Sequence, residues 1–342
     1  MSFRRRTRIL MIMAVVCLAG IALLRGLLQP GGDIRHYQHY YLHDPAAPQP
    51  GEVKITFLGA TSFLIEDDET RFMLDGFISR PPLWRVAFTK LATDEQAAEV
   101  MLQKLKITRL DAMLVSHSHY DHAFDIAYIA KRTGAKLHGS ASTLNIARGS
   151  GLAEAQLQEY DTQKTIRAGR FDISIRPSLH TPSLAYINDD LGEPITSPLR
   201  QPARYRDYKE GGSYDFLIRH DHIRIYIKPD TNFIPGALDH IRADVLFLGT
   251  ATLGKQPAAF QQTFYTETVG KLKPRLLIPI HWDNFFQPLT SELTALPWLV
   301  DDLQQSFDFL LGRTQADQIQ FRILQGYQSL IIRPSGLPAT EL

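Results

Sequence analysis

Cysteine is nearly missing: Cys17 is the single one in 342 residues. That excludes an intramolecular disulfide, excludes a thiolate metal cluster, and leaves the redox compartment open. An excess of either charge is missing as well, since 37 Lys and Arg stand against 36 Asp and Glu, for a formal net charge of +1. Such a balance gives no electrostatic case for a nucleic-acid partner. No internal repeat and no low-complexity tract occurs along the chain. What remains, at 44% hydrophobic and 21% charged, is globular composition, long enough beyond the first thirty residues for one large domain or two small ones.

The amino terminus is of another kind. Arg4, Arg5, Arg6 and Arg8 precede an unbroken apolar run from Ile9 to Leu24, followed by Arg25, Gly26, Leu27 and Leu28 and then by Gln29-Pro30-Gly31-Gly32. As a helix the run through Leu28, with Arg25 snorkelling, reaches roughly 30 Å, about one hydrocarbon core. No convincing small-x-small cleavage site follows it, so the reading is an uncleaved signal anchor over 9–28. Its basic end, 1–8, stays in the cytoplasm. That places a single-pass protein in the inner membrane with its remaining chain on the periplasmic or extracytoplasmic side. Residues 29–52 read as a linker whose tyrosines and histidines form an aromatic belt at the membrane surface, and 53–342 as the folded domain.

The densest chemistry lies in Asp111–Asp125, DAMLVSHSHYDHAFD. Ala112–Val115 has the length of a buried strand. The turn after it packs His117, His119, Asp121 and His122 into six residues. Three imidazoles and a carboxylate so close together repel on protonation unless a cation holds them.

Elsewhere, strand-like runs end in lone candidates. Val53–Ile65 and Arg71–Leu74 read as a meander ending in Asp75-Gly76, and Gly76–Phe88 as an irregular lip over the site. Thr93 with Gln96 reads as a capping box that starts a helix through Leu105. Helices are expected over Ile126–Arg132, Leu152–Tyr160, Gln256–Leu272 and Pro297–Leu311. Phe171–Pro177 runs into His180, Ile223–Lys228 into Asp230, and Leu276–Ile280 into His281. The turn His220-Asp221-His222 reads as exposed. The stretch 184–212, carrying Arg200, Arg204 and Arg206, reads as a flap facing substrate. Strands alternating with helices indicate an α/β domain, in which strand ends on one side build sites.

SHSHYDH together with His180, Asp230 and His281 resembles the metallo-β-lactamase superfamily. The resemblance covers the chain from about Val53 onward and implies a four-layer αββα sandwich. It implies that His117, His119 and His180 hold one divalent metal, that Asp121, His122 and His281 hold a second, and that Asp230 bridges the two. Zinc is the expected metal, with manganese or iron compatible with an all nitrogen and oxygen shell. The implied reaction is hydrolysis by a metal-bridging hydroxide, with Asp121 also orienting the nucleophile. FLGATSFLIEDDETRFMLDGFISRPP, LVSHSHYDHAFD, GGSYDFLIR and IPIHWDNF are similar to the branch of N-acyl-phosphatidylethanolamine phospholipase D and related bacterial hydrolases, which implies a phosphodiester or lipid substrate. A carboxylic ester or lactone hydrolase is the alternative, and a non-catalytic metal-binding protein on the same fold is the alternative from another class. Lys228-Pro229-Asp230 lacks the family's usual glycine before the bridging aspartate. Asp283 and Asn284 depart from the small residues usual after the last histidine and, with Tyr120, are the expected substrate contacts.

Overall fold

A computed structural model describes residues 3–182, 191–290 and 292–334. Its central strands, such as Phe63–Glu66, Ala112–Leu114, Val245–Gly249 and Leu276–Ile280, are buried at every position because both of their faces are covered, while edge strands such as Leu157–Glu159 and Thr165–Ala168 are largely exposed. The strands are β1 (Val53–Phe57), β2 (Phe63–Glu66), β3 (Arg71–Leu74), β4 (Ala112–Leu114), β5 (Lys136–Gly139), β6 (Leu157–Glu159), β7 (Thr165–Ala168), β8 (Phe171–Ser178), β9 (Ser213–His220), β10 (Ile223–Lys228), β11 (Val245–Gly249), β12 (Leu276–Ile280), β13 (Gln320–Phe321) and β14 (Ser329–Ile332). Among the described residues they make two seven-stranded sheets, ordered β14-β1-β2-β3-β4-β5-β6 and β13-β12-β11-β10-β9-β8-β7. Each sheet begins as an antiparallel meander and continues as parallel strands, β3 to β6 in the first and β10 to β13 in the second.

Alternation decides what each side chain covers. Phe72 and Leu74 point between the sheets, where Phe72 meets Phe171 edge-on with ring centroids 5.1 Å apart and Phe63 meets Phe247 at 5.1 Å. Met73 and Met113 point outward, under the helices Glu95–Lys104, Ile126–Thr133 and Ala141–Gly149. The helices Ala258–Glu267 and Leu303–Ala316 cover the outer face of the second sheet through Phe264, Phe307 and Leu310. The result is the four-layer αββα sandwich.

Several local expectations are corrected. The linker expected over 29–52 is packed on the folded domain: Ile34–Tyr40 is a short 3-10 helix, and Tyr37 is buried, edge-on to Phe307 at 5.2 Å, its hydroxyl donating to Asp308 at 2.8 Å. The helix after Thr93 is capped by Asp94, whose carboxylate accepts from Ala97 N at 3.0 Å, while Thr93 donates to Phe124 O. Residues 152–160 are a single 3-10 turn and the strand β6, because Leu157 pairs with Leu137. The expected helix over 256–272 breaks at Thr268, whose hydroxyl bonds back to Phe264 O. The last long helix starts at Leu303, where Asp302 caps Gln305 N at 3.0 Å, and not at Pro297. His220 is fully buried against Asp67, Nε2 to Oδ2 2.9 Å, while Asp221 and His222 stay exposed.

Within the helix Phe3–Leu28, the stretch Met11–Leu28 is long and apolar enough to cross a membrane, and none of it is buried.

Candidate metal centre

Five strand ends converge. β4 leads to His117, His119, Asp121 and His122, with Tyr120–Ala123 a single helical turn; β8 leads to His180, β10 to Asp230, β12 to His281 and β3 to Asp75. The donor atoms fall into two groups, His117 with His119 and His180, and Asp121 with His122 and His281, each within 4.8 Å internally. His119 Nδ1 lies 3.1 Å from His180 Nε2, and His122 Nε2 lies 3.2 Å from His281 Nε2. Asp121 Oδ2 is 3.6 Å from His122 Nε2 and 3.4 Å from His281 Nε2. A tetrahedral cation bound at the usual 2.0–2.1 Å sets its donors about 3.3 Å apart, so these spacings fit a metal. Asp230 stands beside the first group, Oδ2 at 3.5 Å from His117 Nδ1 and Oδ1 at 3.8 Å from His180 Nε2. His117 Nε2 and Asp230 Oδ2 are buried without a hydrogen-bond partner, the condition of an atom that waits for a cation.

Electrostatics agree. Burial, reinforced by the neighbouring imidazoles, pushes His117 well below its ordinary value and leaves it neutral, the ligating form. Burial also lowers His180. Burial would raise Asp121 and Asp230, but His122 and His281 around the first, and His180 and His122 around the second, hold both below the usual carboxylate range. His122 is driven down by burial and up, to about 9, by Asp121 and Asp75. Its surroundings favour a positive charge, which a proton or a metal cation satisfies.

Asp75 was not among the residues singled out from the sequence. Its Oδ2 lies 2.9 Å from His122 Nδ1, and it also accepts from Ser116 Oγ at 2.8 Å while Oδ1 takes Ser116 N at 2.7 Å. It fixes the ring so that Nε2 faces the site, the usual arrangement of a ligating histidine. The only signal available was its place, immediately after a strand and before Gly76. Asp75 and His281 both carry non-glycine residues into the left-handed region, φ 53 and 60, which is stored strain at the site.

Asp283 does not face substrate. It is fully buried, paired with Arg80, and accepts from Ala60 N at 2.7 Å, so it clamps the turn after β1 beneath His281, whose N–H donates to Ala60 O at 2.8 Å. Gly59 makes room for this pair: at φ +80, a Cβ there would sit 2.6 Å from the Arg80 guanidinium. Asn284 accepts from Phe286 N and does not line the cavity.

A cavity of about 410 Å³ opens over the ligands. Tyr120 lines it, and burial pushes its phenol well above the ordinary value, keeping the O–H a donor. The rest of its wall is mostly apolar: Leu83, Val86 and Ala87 from the short helix Leu83–Phe88, Phe285 and Phe286, and Leu296, Leu299 and Val300. Of the three arginines of 184–212 only Arg206 lines it; Arg200 and Arg204 are exposed elsewhere, and the part of the flap at 184–190 lies outside the described residues.

Residues 70–282 match the family model described as a Beta-lactamase superfamily domain. The chain is similar to a UPF0173 metal-dependent hydrolase of Pyrococcus furiosus, 27% identical over 257 residues, which are 73% of this chain and 93% of the relative. It is similar to another of Myxococcus xanthus, 25% identical over 290 residues, 82% of this chain and 87% of the relative. Its fold is like that of Igni18, a metallo hydrolase from Ignicoccus hospitalis, with a TM-score of 0.52, 18% identity, and coverage of 82% of this chain and 98% of that one. These likenesses reach the superfamily and its metal-dependent hydrolases, not the phospholipase D branch in particular.

Proposed function

Since this chain belongs to the β-lactamase superfamily, we propose that it is a dinuclear metal-dependent hydrolase, anchored by Phe3–Leu28, that cleaves a phosphodiester of lipid-like character. The observation that carries the reading is the pair of donor groups, with Asp230 beside them, on the floor of an apolar cavity that holds one arginine. His117, His119 and His180 would hold one cation, Asp121, His122 and His281 the other, and Asp230 would bridge. Two such ions, zinc or manganese by donor type, would supply water of lowered pKa and polarise the phosphoryl oxygen on the phosphorus under attack. The residues do the rest. Asp75 holds the tautomer of His122, Thr181 donates to Asp230 Oδ1 from its N–H at 3.2 Å and so aims that carboxylate, and Asp121 orients the attacking water. Tyr120 donates to an oxygen of the substrate, Arg206 meets its negative charge, and the apolar wall takes its chain and excludes bulk water.

The test is the full chain in detergent, loaded with zinc or manganese, on matched nitrophenyl phosphodiester, carboxylic ester and lactone substrates beside Asp121→Ala. The expected result is metal-dependent preference for the phosphodiester, reduced in Asp121→Ala by roughly 100-fold or more, the scale of a lost orienting group. Preference for the ester or lactone overturns the phosphodiester while keeping the metal chemistry. Two bound metals and no turnover on any of the three would favour a metal-binding protein.

A further inference from the structure

Next to the cavity wall in the chain stand large apolar side chains that are exposed among the described residues. Trp84 is 61% exposed, Phe88 79% and Trp298 46%. They are not cavity-wall residues, but they are next to them in the chain: Trp84 and Phe88 share a short helix with Leu83, Val86 and Ala87, and Trp298 precedes Leu299 and Val300. One end of this rim is tied directly to the end of the apolar helix. Leu299 N donates to Leu27 O at 2.9 Å, Trp298 N to Gln29 O at 2.7 Å and Gly31 N to Leu296 O at 2.7 Å. Gly31 runs so close that a Cβ there would lie 2.1 Å from Asp301 O, so the helix end is seated on the cavity wall and not strung from it.

Trp298 at the foot of a membrane-length helix, with Trp84 and Phe88 on the short helix that walls the same cavity, gives the amphipathic aromatic set that prefers the headgroup boundary. Basic groups accompany them: Arg85 on the same short helix and Lys90 just after it are exposed, Arg206 is an exposed residue of the cavity wall, and Lys255 Nζ sits 3.3 Å from the centroid of the Trp298 ring. We propose that this rim, Trp84, Phe88 and Trp298, lies in the surface of an anionic bilayer, so that the cavity draws an amphiphilic substrate out of the membrane and not from water. The inference rests on the anchor reading above and adds to it an orientation and a route of entry.

Tryptophan occurs only at 84, 282 and 298, and Trp282 is fully buried. The full chain is reconstituted in vesicles of phosphatidylglycerol and phosphatidylcholine carrying bromine on the acyl chains. Tryptophan emission is expected to be quenched in the parent and restored in Trp84→Phe with Trp298→Phe, which leaves Trp282 alone. As a second readout, Trp84→Glu with Phe88→Glu should slow hydrolysis of vesicle-embedded substrate by roughly tenfold, the loss expected from keeping two aromatics out of the interface. The rate on a water-soluble nitrophenyl substrate should not change. A chain that inserts but shows no quenching, as when a second copy covers the rim, overturns the proposal and leaves the hydrolase standing. A chain that does not insert overturns the anchor and the rim together, while turnover of the soluble substrate still reports on the hydrolase.

Discussion

At the scale of residues, the polar groups around the site divide by whether they have a partner. His117 Nε2 and Asp230 Oδ2 are buried without a hydrogen-bond partner; the Asp283 carboxylate is buried and paired with Arg80 Nη2, which leaves Arg80 Nε and Nη1 without one. Sequence position alone could not tell these apart, since Asp283 follows His281 as closely as Asp121 follows His119. What separates them is a contact 203 residues away in the chain, between Arg80 and Asp283. Removing one partner of a buried pair strands the other charge, which costs roughly 3–5 kcal/mol. Asp283→Ala is therefore expected to lower stability to urea by that amount. If Asp283 touched substrate instead, the variant would keep its stability and raise KM. Chemical unfolding followed by fluorescence, run beside the kinetics, separates the two.

At the scale of elements, the segment 296–302 shows how a loop is made rigid enough to be a wall. Asp301 is buried at its end and accepts from Gly254 N at 3.2 Å and Asp302 N at 2.8 Å, joining this segment to the loop after β11. Burial outweighs those N–H groups and pushes the carboxyl up to about 7. Between the ordinary carboxylate value and about 7 the folded chain holds a proton that the unfolded chain releases. The contribution of Asp301 thus stabilises the fold at the acid end of that window and is lost as pH rises through about 7. Asp301→Asn keeps the acceptor and removes the titration. Melting temperatures should match the parent at pH 4 and exceed it at pH 8, by the shift that a stability difference on the order of 1–4 kcal/mol produces. Equal melting at both would mean that the carboxyl is ionised throughout. The same segment marks the limit of what periodicity reveals. An apolar run beginning at Pro297 reads as helix, yet Leu299 and Val300 face a cavity and Asp302 is the cap. Buried strands such as Ala112–Leu114 and Leu276–Ile280 were legible because an unbroken apolar run has few other uses. Leu152–Tyr160 was not, because edge pairing with β5 decided it.

At the scale of the whole molecule, the candidate ligands are drawn from both sheets. His117, His119, Asp121 and His122 follow β4 of the first sheet, and His180, Asp230 and His281 follow β8, β10 and β12 of the second. Each histidine was visible in the sequence as a strand end; that the strand ends meet was visible only through the family resemblance, because nothing local sets the distance between two sheets. A cation held by His117, His119 and His180, or by Asp121, His122 and His281, joins the sheets across their shared edge. Without it, four imidazoles crowd in two pairs, His119 with His180 at 3.1 Å and His122 with His281 at 3.2 Å. Metal should therefore stabilise the fold as well as serve the reaction. Binding to the folded chain alone contributes about 2.7 kcal/mol per site when free metal is a hundred times its dissociation constant. Chelation is expected to lower the melting temperature, and zinc or manganese to restore it with a dependence on metal concentration. In His117→Ala with His281→Ala, which takes one ligand from each group, the metal dependence should disappear while the two sheets still form. A melting temperature indifferent to metal in the parent chain would mean that the apolar core alone holds the sheets in register, and that the donor spacings are set before any cation arrives.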